Sequence, residues 1–290
     1  MSLFDGFFDD AAVFPPGNAP LSRALCEHHE HGRLPRSRYV GPLVLPVAAV
    51  PELNNDRPAM PDSRPLTVAL TFGDGPSAVE AALSRPIPGL RIVAVEVALP
   101  PNISAARTLS MLEKTVPPDV GVFVELPRDS RRYDLIDALR ATGYCAKIRT
   151  GGVTAGEYPD ELGLGATIID LVAVGVSFKA TAGLHRAIRN TDPRNGFEQH
   201  GFLNIMLAVS AAVDGADTAD VVEILGARDA NALARQLIGA VDEQVVLTRR
   251  VFRSLGTCSV IEPLEDLVAL GLLPADALDD VVAVSGSIND

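Results

Sequence analysis

The chain has 290 residues, 47% of them hydrophobic, and 37 acidic against 25 basic side chains give it a net charge of −12. That length allows one large α/β domain or two ordinary ones with an ample core, and a mean hydropathy of +0.21 excludes a disordered polyelectrolyte. The acidic surplus repels phosphate backbones and anionic bilayers alike, so neither nucleic acid nor a membrane surface is expected as a partner, although a cationic pocket within an acidic shell stays compatible.

The opening stretch MSLFDGFFDDAAVFPPG carries Asp5, Asp9 and Asp10 and has no basic segment followed by an apolar one, so no secretion signal is expected. Phe7 to Phe14 can form a first strand, closed by Pro15-Pro16-Gly17, and Leu21 to Gly32 then reads as a helix. A second extended run, Tyr39 to Val47, is interrupted by Pro42, and Pro51 to Pro65 reads as a surface connection. LTVALTF at Leu66 to Phe72 is a third strand, followed by a turn and a helix from Ser77 through Leu83.

The rhythm continues with RIVAVEVAL at Arg91 to Leu99, a helix from Ser104 to Lys114, GVFVEL at Gly121 to Leu126 and a helix over Tyr133 to Thr142. Residues 144–189 supply a sixth strand, a glycine-rich turn, a helix, a seventh strand and a second glycine turn. A polar loop from 183 to 204 carries His185, Arg189 and His200. Helices follow around Leu203 to Val213, Thr218 to Leu225 and Ala230 to Leu247; the first is the longest apolar stretch and too short to span a bilayer. They either cover a barrel or make a homo-oligomer contact. Ser254 to Val260 is an eighth strand, and Glu262-Pro263 opens a last helix.

Strands alternating with helices imply right-handed βαβ units, and eight of them in this length favour a single (β/α)8 barrel over residues 1–290, with extra helices between strands 7 and 8. No G-x-G-x-x-G follows the first strand and no G-x-x-x-x-G-K-[ST] occurs, so dinucleotide and P-loop readings fail and no cofactor is expected. Cys26, Cys145 and Cys258 are an odd, scattered set, which reads as free thiols in a reducing cytoplasm.

Alternation along the strands concentrates charge. Cys145, Lys147 and Arg149 share one face of the sixth strand, and Ser177, Lys179 and Thr181 one face of the seventh. The same logic places Glu96 opposite Val95 and Val97, and Glu125 opposite Val124. Only one of Asp9 and Asp10 can face inward. A parallel strand is normally apolar on both faces, so inward cations require water, a counter-charge or a ligand. Two lysines on neighbouring strands have a specific use: a nearby cation and partial desolvation favour the neutral amine that can attack a carbonyl, and a carboxylate can move the protons. A salt-bridge network plugging the barrel is the structural alternative.

The segments KIRTGG, GAT and FKATAGLHRAIR resemble the sixth and seventh strands of class I aldolases of the deoxyribose-phosphate aldolase type. That resemblance implies a Schiff-base lysine at Lys147, a tuning partner at Lys179 and an acidic proton shuttle at Glu96. Arg149 and Thr150 stand where that family has small hydroxyl residues, and Ala182-Gly183 where it has a glycine pair. FDDAAVFPPG, KATAGLH, HGFLN and SLGTCSVIEPLEDL resemble a largely actinobacterial barrel family, a likeness that brings no activity with it.

The expected enzyme is therefore an aldolase-like lyase acting on a small anionic carbonyl compound. Lys147, Lys179, Glu96 and Glu125 form its catalytic set, and Arg149, Thr181, Gly183, His185 and His200 its substrate contacts. Backbone amides at Gly151-Gly152 and Gly183 could hold an anionic group. A competing reading has His185, His200 and a carboxylate bind a metal for hydrolysis or isomerisation. A third is a non-catalytic barrel that binds an anion. Cys26, His28, His29 and His31 read as part of a solvated helix, and Cys258 as a packed thiol with no visible base.

Overall fold

The computed structural model describes residues 3–55 and 65–280. Its barrel strands are β1 (Phe8–Asp10), β2 (Val40–Pro46), β3 (Leu66–Phe72), β4 (Leu90–Ala98), β5 (Gly121–Glu125), β6 (Cys145–Arg149), β7 (Phe178–Thr181) and β10 (Phe252–Thr257). A two-residue pair, β8 (Asn190–Thr191) and β9 (Glu198–Gln199), lies outside them. The eight barrel strands close in the order β1-β10-β7-β6-β5-β4-β3-β2, every pairing parallel. This is the (β/α)8 barrel that the alternating pattern predicts.

The helices are α1 (Leu21–His31), α2 (Val50–Asn55), α3 (Val79–Leu83), α4 (Ala105–Thr115), α5 (Arg131–Arg140), α6 (Glu161–Val174), α7 (Phe202–Val213), α8 (Thr218–Gly226), α9 (Ala230–Ile238), α10 (Asp242–Val251) and α11 (Ile261–Ala269). Local chemistry sets several of their ends. Ser104 caps α4 by accepting from the Arg107 amide, and Asp160 caps α6 by accepting from the Gly163 amide. Gly175 closes α6 at φ +72°, a conformation that favours glycine. α7 is buried along almost its whole length and packs on α6, α8, α9, α10 and β10, so this apolar helix covers the barrel.

Two hydrophobic layers result from strand alternation. Outward residues such as Leu45, Leu70, Val95, Val97, Val124, Ala146, Ile148, Phe178 and Leu255 meet the helices in one continuous core. A smaller cluster of Ala11, Val44, Ala69 and Ala94, with Phe14 and Phe123 against it, lies apart from that core.

Several boundaries differ from the expected ones. β1 is only three residues long, because Ala11–Phe14 turns away under a bond from the Phe14 amide to the Ala11 carbonyl. Pro42 stays inside β2, at a register shift where Phe8 pairs with Val40 but Asp10 pairs with Leu43; the irregularity absorbs the missing N–H. The run expected as one helix from Ala230 to Leu247 divides at Gly239 into α9 and α10. β10 starts two residues early, at Phe252. The connection expected at Pro51 to Pro65 begins as α2 and otherwise lies largely outside the described residues.

Candidate active site

β4, β5, β6 and β7 are consecutive neighbours in the barrel, and their registers bring Glu125, Lys147 and Lys179 to one level, with Glu96 two residues below it on β4. Ala98 pairs with Glu125, Glu125 with Lys147, and Lys147 with Lys179. The Lys147 ammonium lies 2.9 Å from Glu96 Oε2 and 3.3 Å from Glu125 Oε2. Lys179 binds the other Glu96 oxygen, Oε1, at 2.5 Å and Asp9 Oδ2 at 2.5 Å. Glu96 thus bridges the two lysines with its two oxygens. The Ser254 hydroxyl on β10 donates to Asp9 Oδ2 at 2.7 Å, and Lys179 also stands over the Phe123 ring.

Burial gives these groups distinct electrostatics. It opposes ionisation of Glu96, but Lys179 and Lys147 overcome it and bring that carboxyl down to about 2. Asp9 is pushed above the usual carboxylate range, because its burial outweighs the pull of Lys179. Burial alone would lower Lys179, yet Asp9 and Glu96 prevail and raise it. Lys179 is therefore a fixed ammonium. It is only 1% exposed, whereas Lys147 is 8% exposed.

Above this network opens a cavity of about 620 Å³ at the C-terminal ends of the strands, where barrel enzymes carry their sites. Glu96, Glu125, Lys147, Arg149, Lys179, Thr181, Gly183 and His185 all line it. Eight of the nine residues expected to act thus share one hollow. His200 does not join them. Its ring is completely buried, with Nε2 2.8 Å from the Pro159 carbonyl and Nδ1 3.4 Å from Arg189. Its substrate-contact role is thereby corrected to a structural one.

The metal reading loses its geometry for the same reason. His185 faces Cys258 and Glu262, while His200 turns to Pro159. Among the described residues, no group of three or more His, Cys, Asp or Glu side chains is placed to hold a metal ion.

The helix expected to be solvated is partly buried. His28 is 6% exposed and meets Asp10 Oδ2 at 3.0 Å, so Asp10 is the outward member of its pair and ties β1 to α1. His31 accepts from Arg36 Nε at 3.0 Å.

The turn that follows the expected Gly151-Gly152 amides holds an internal anion. Glu157 accepts from the Val153 amide and the Thr154 amide, both at 2.8 Å, and from the Thr154 hydroxyl at 3.0 Å. These bonds hold its carboxyl below the usual range. Gly151 and Gly183 instead meet back to back beside Tyr158: a Cβ on Gly183 would lie 2.7 Å from the Tyr158 ring and 3.0 Å from the Gly151 Cα. Thr150 helps tie the two turns by donating to the Ala182 carbonyl at 2.7 Å.

Some neighbours were not legible in one dimension. Gly41 on β2 is needed because a Cβ there would lie 2.2 Å from Asp9 Oδ1. Cys258 has a histidine neighbour: its Sγ is 3.5 Å from His185 Nδ1, which is also 3.5 Å from Glu262 Oε2. Bonds to Cys258 and Glu262 raise His185 to about 9, so it lines the cavity as an imidazolium. Nothing in the spacing of residues 185, 258 and 262 signals this contact. Asp9 left a fainter trace, as one of two acids inside an apolar opening strand.

No protein-family model matches the chain, and no curated protein matches it. Among solved structures the chain is similar to a tetrameric deoxyribose phosphate aldolase from Aeropyrum pernix, at 12% identity over 92% of each chain with a TM-score of 0.49. A likeness of that depth is silent on activity. The class of protein defined by the strand order alone is the parallel (β/α)8 barrel.

Proposed function

We propose that the protein is an aldolase-type lyase that binds a small anionic carbonyl compound and activates it as an imine on Lys147. What carries the reading is the sharing of Glu96 between two lysines on adjacent strands at the floor of an open cavity, with Glu125 beside the more accessible one. Lys179 is held by two carboxylates and nearly sealed, so it serves as a fixed positive charge rather than a nucleophile. Lys147 is the more exposed of the two and stands beside Glu125, so it is the amine that a carbonyl in the cavity can reach.

The Lys147 ammonium would pass a proton to Glu125, and its lone pair would add to the substrate carbonyl. Return of that proton to the carbinol oxygen releases water and leaves an iminium. The Glu125 carboxylate takes the proton of the β-hydroxyl as the carbon–carbon bond breaks; the hydroxyl carbon leaves as a carbonyl fragment, and the iminium accepts the bond's electron pair, giving an enamine that is protonated and hydrolysed back to the free amine; synthesis runs the same steps in reverse. Arg149, His185, Thr181 and Gly183 line the cavity where the rest of the substrate would lie. A cytoplasmic location, one domain and no cofactor belong to the same reading.

Borohydride reduction in the presence of small aldehydes and ketones, followed by peptide mass mapping, tests it. A substrate-dependent adduct is expected on Lys147 and lost in Lys147→Met. Absence of any adduct across such a panel would sink the imine. A second reading is favoured by the sealing of Lys179: the charges form a structural network beneath a non-catalytic anion-binding cavity. Ligands that raise the melting temperature but are never converted would select it.

A further inference from the structure

The cations around the cavity are not equally committed. Lys147 and Lys179 are held by Glu96, Glu125 and Asp9; Arg194 is held by Asp192 at 3.1 Å; and His185 lies between Cys258 and Glu262. Arg149, half-buried at the end of β6 and lining the same hollow, differs: among the described residues its guanidinium has neither a hydrogen bond nor an ion pair. Its charge is felt by Glu157 and by Arg128, without an ion pair to either.

Glu157 supplies the second observation. A phosphate group is commonly held by successive backbone amides of a glycine-rich turn together with cations. Here the amides of Val153 and Thr154 already bind the Glu157 carboxylate. That carboxylate lies over Gly152 so closely that a Cβ there would be 2.4 Å from its carboxyl carbon. A dianion entering beside Val153 and Thr154 would meet a fixed negative charge and find those two amides occupied. Arg149, the cation left without a partner, presents one planar guanidinium whose paired N–H groups match the two oxygens of a carboxylate.

We propose that the cavity takes a carbonyl compound bearing a single carboxylate, which Arg149 binds, and that Glu157 excludes phosphate esters. Lys147 and Arg149 are two residues apart on one face of β6, so a carboxylate on Arg149 places the body of the ligand over the lysine. Only the orientation of the carbonyl toward Lys147 rests on the imine reading; the pairing of Arg149 with a carboxylate stands without it.

Calorimetric titration at fixed ionic strength with pyruvate, lactate, inorganic phosphate and glycerol 3-phosphate separates the two parts, since lactate has no carbonyl to form an imine. Pyruvate and lactate should bind saturably, and both phosphates at least tenfold more weakly. Arg149→Gln should weaken both carboxylates about tenfold or more, and Arg149→Lys by less, with circular dichroism and melting confirming that each variant folds. Glu157→Ala should raise phosphate affinity relative to lactate. Tighter binding of phosphates than of carboxylates, carboxylate affinities unmoved by Arg149→Gln, or binding of none of the four would each overturn the proposal. Arg149-dependent lactate binding with no borohydride adduct from any carbonyl compound would instead sustain this inference and remove the imine.

Discussion

At the scale of single residues, the barrel floor depends on removing atoms as much as on supplying charge. Asp9 can reach Lys179 because position 41 has no side chain: a Cβ there would stand 2.2 Å from Asp9 Oδ1. Gly41→Ala must therefore displace the carboxylate or shift β2, and overpacking of this kind costs about 1–3 kcal/mol. Urea unfolding should show that loss in the native background and little of it in Asp9→Gly, where the obstructing carboxylate is gone. Equal losses in both backgrounds would mean that Gly41 is needed for backbone freedom alone. The inward direction of Lys147, Lys179, Glu96 and Glu125 was legible from alternation, because each lies in a run whose other face is apolar. The role of Gly41 was not, since its reason is an atom 32 positions away in sequence.

Elements are joined by a few buried polar groups, and the HGFLN segment is the clearest case. His200 bonds to the Pro159 carbonyl ahead of α6. Gly201 lets the chain pass where a Cβ would lie 2.4 Å from the Ala187 carbonyl oxygen. Asn204, fully buried on α7, accepts from the Arg189 amide at 2.9 Å and donates to the Ile224 and Ala227 carbonyls at 2.8 Å each. One side chain thus fixes α7 to the end of α8 and to the loop after β7. Asn204→Ala leaves three part-buried backbone groups without that partner, and at about 1–3 kcal/mol for an unsatisfied buried group the loss should reach about 1–3 kcal/mol in all. Denaturant titration checks this, and a loss under about 1 kcal/mol would show that water replaces the amide. From sequence, residues 183–204 read as a polar loop with histidines available to substrate. Burial beside the start of α6, with the Pro159 carbonyl and Arg189 as partners, is what converts His200 into a fastener.

For the whole molecule, an acidic surface encloses a mixed-charge centre, and pH acts on the two differently. His185 rises from its ordinary 6.5 to about 9 on folding, through its bonds to Cys258 and Glu262. A raised value means that the folded state holds the proton more tightly. His185 therefore contributes its full stability below about pH 6.5, and that contribution is lost as pH climbs through 9. Comparing native protein with His185→Gln by urea unfolding from pH 6 to 10 should give a difference that shrinks across this window; a constant difference would rule the linkage out. Glu96, held near 2, works in the acid range, where its stabilisation is present above the ordinary carboxylate value and disappears as pH falls through 2.

The sequence by itself determined the barrel and the inward charges, because strand and helix periodicities are local and each βα unit carries its own pattern. Only the tertiary structure decided which charges pair, that Glu157 fills its own turn, that Cys258 meets His185 and that His200 is withdrawn. Closure of the barrel brings together residues from opposite ends of the chain, such as Asp9 and Ser254. Their contact depends on how strands β1 and β10 meet in space, a property of no single segment.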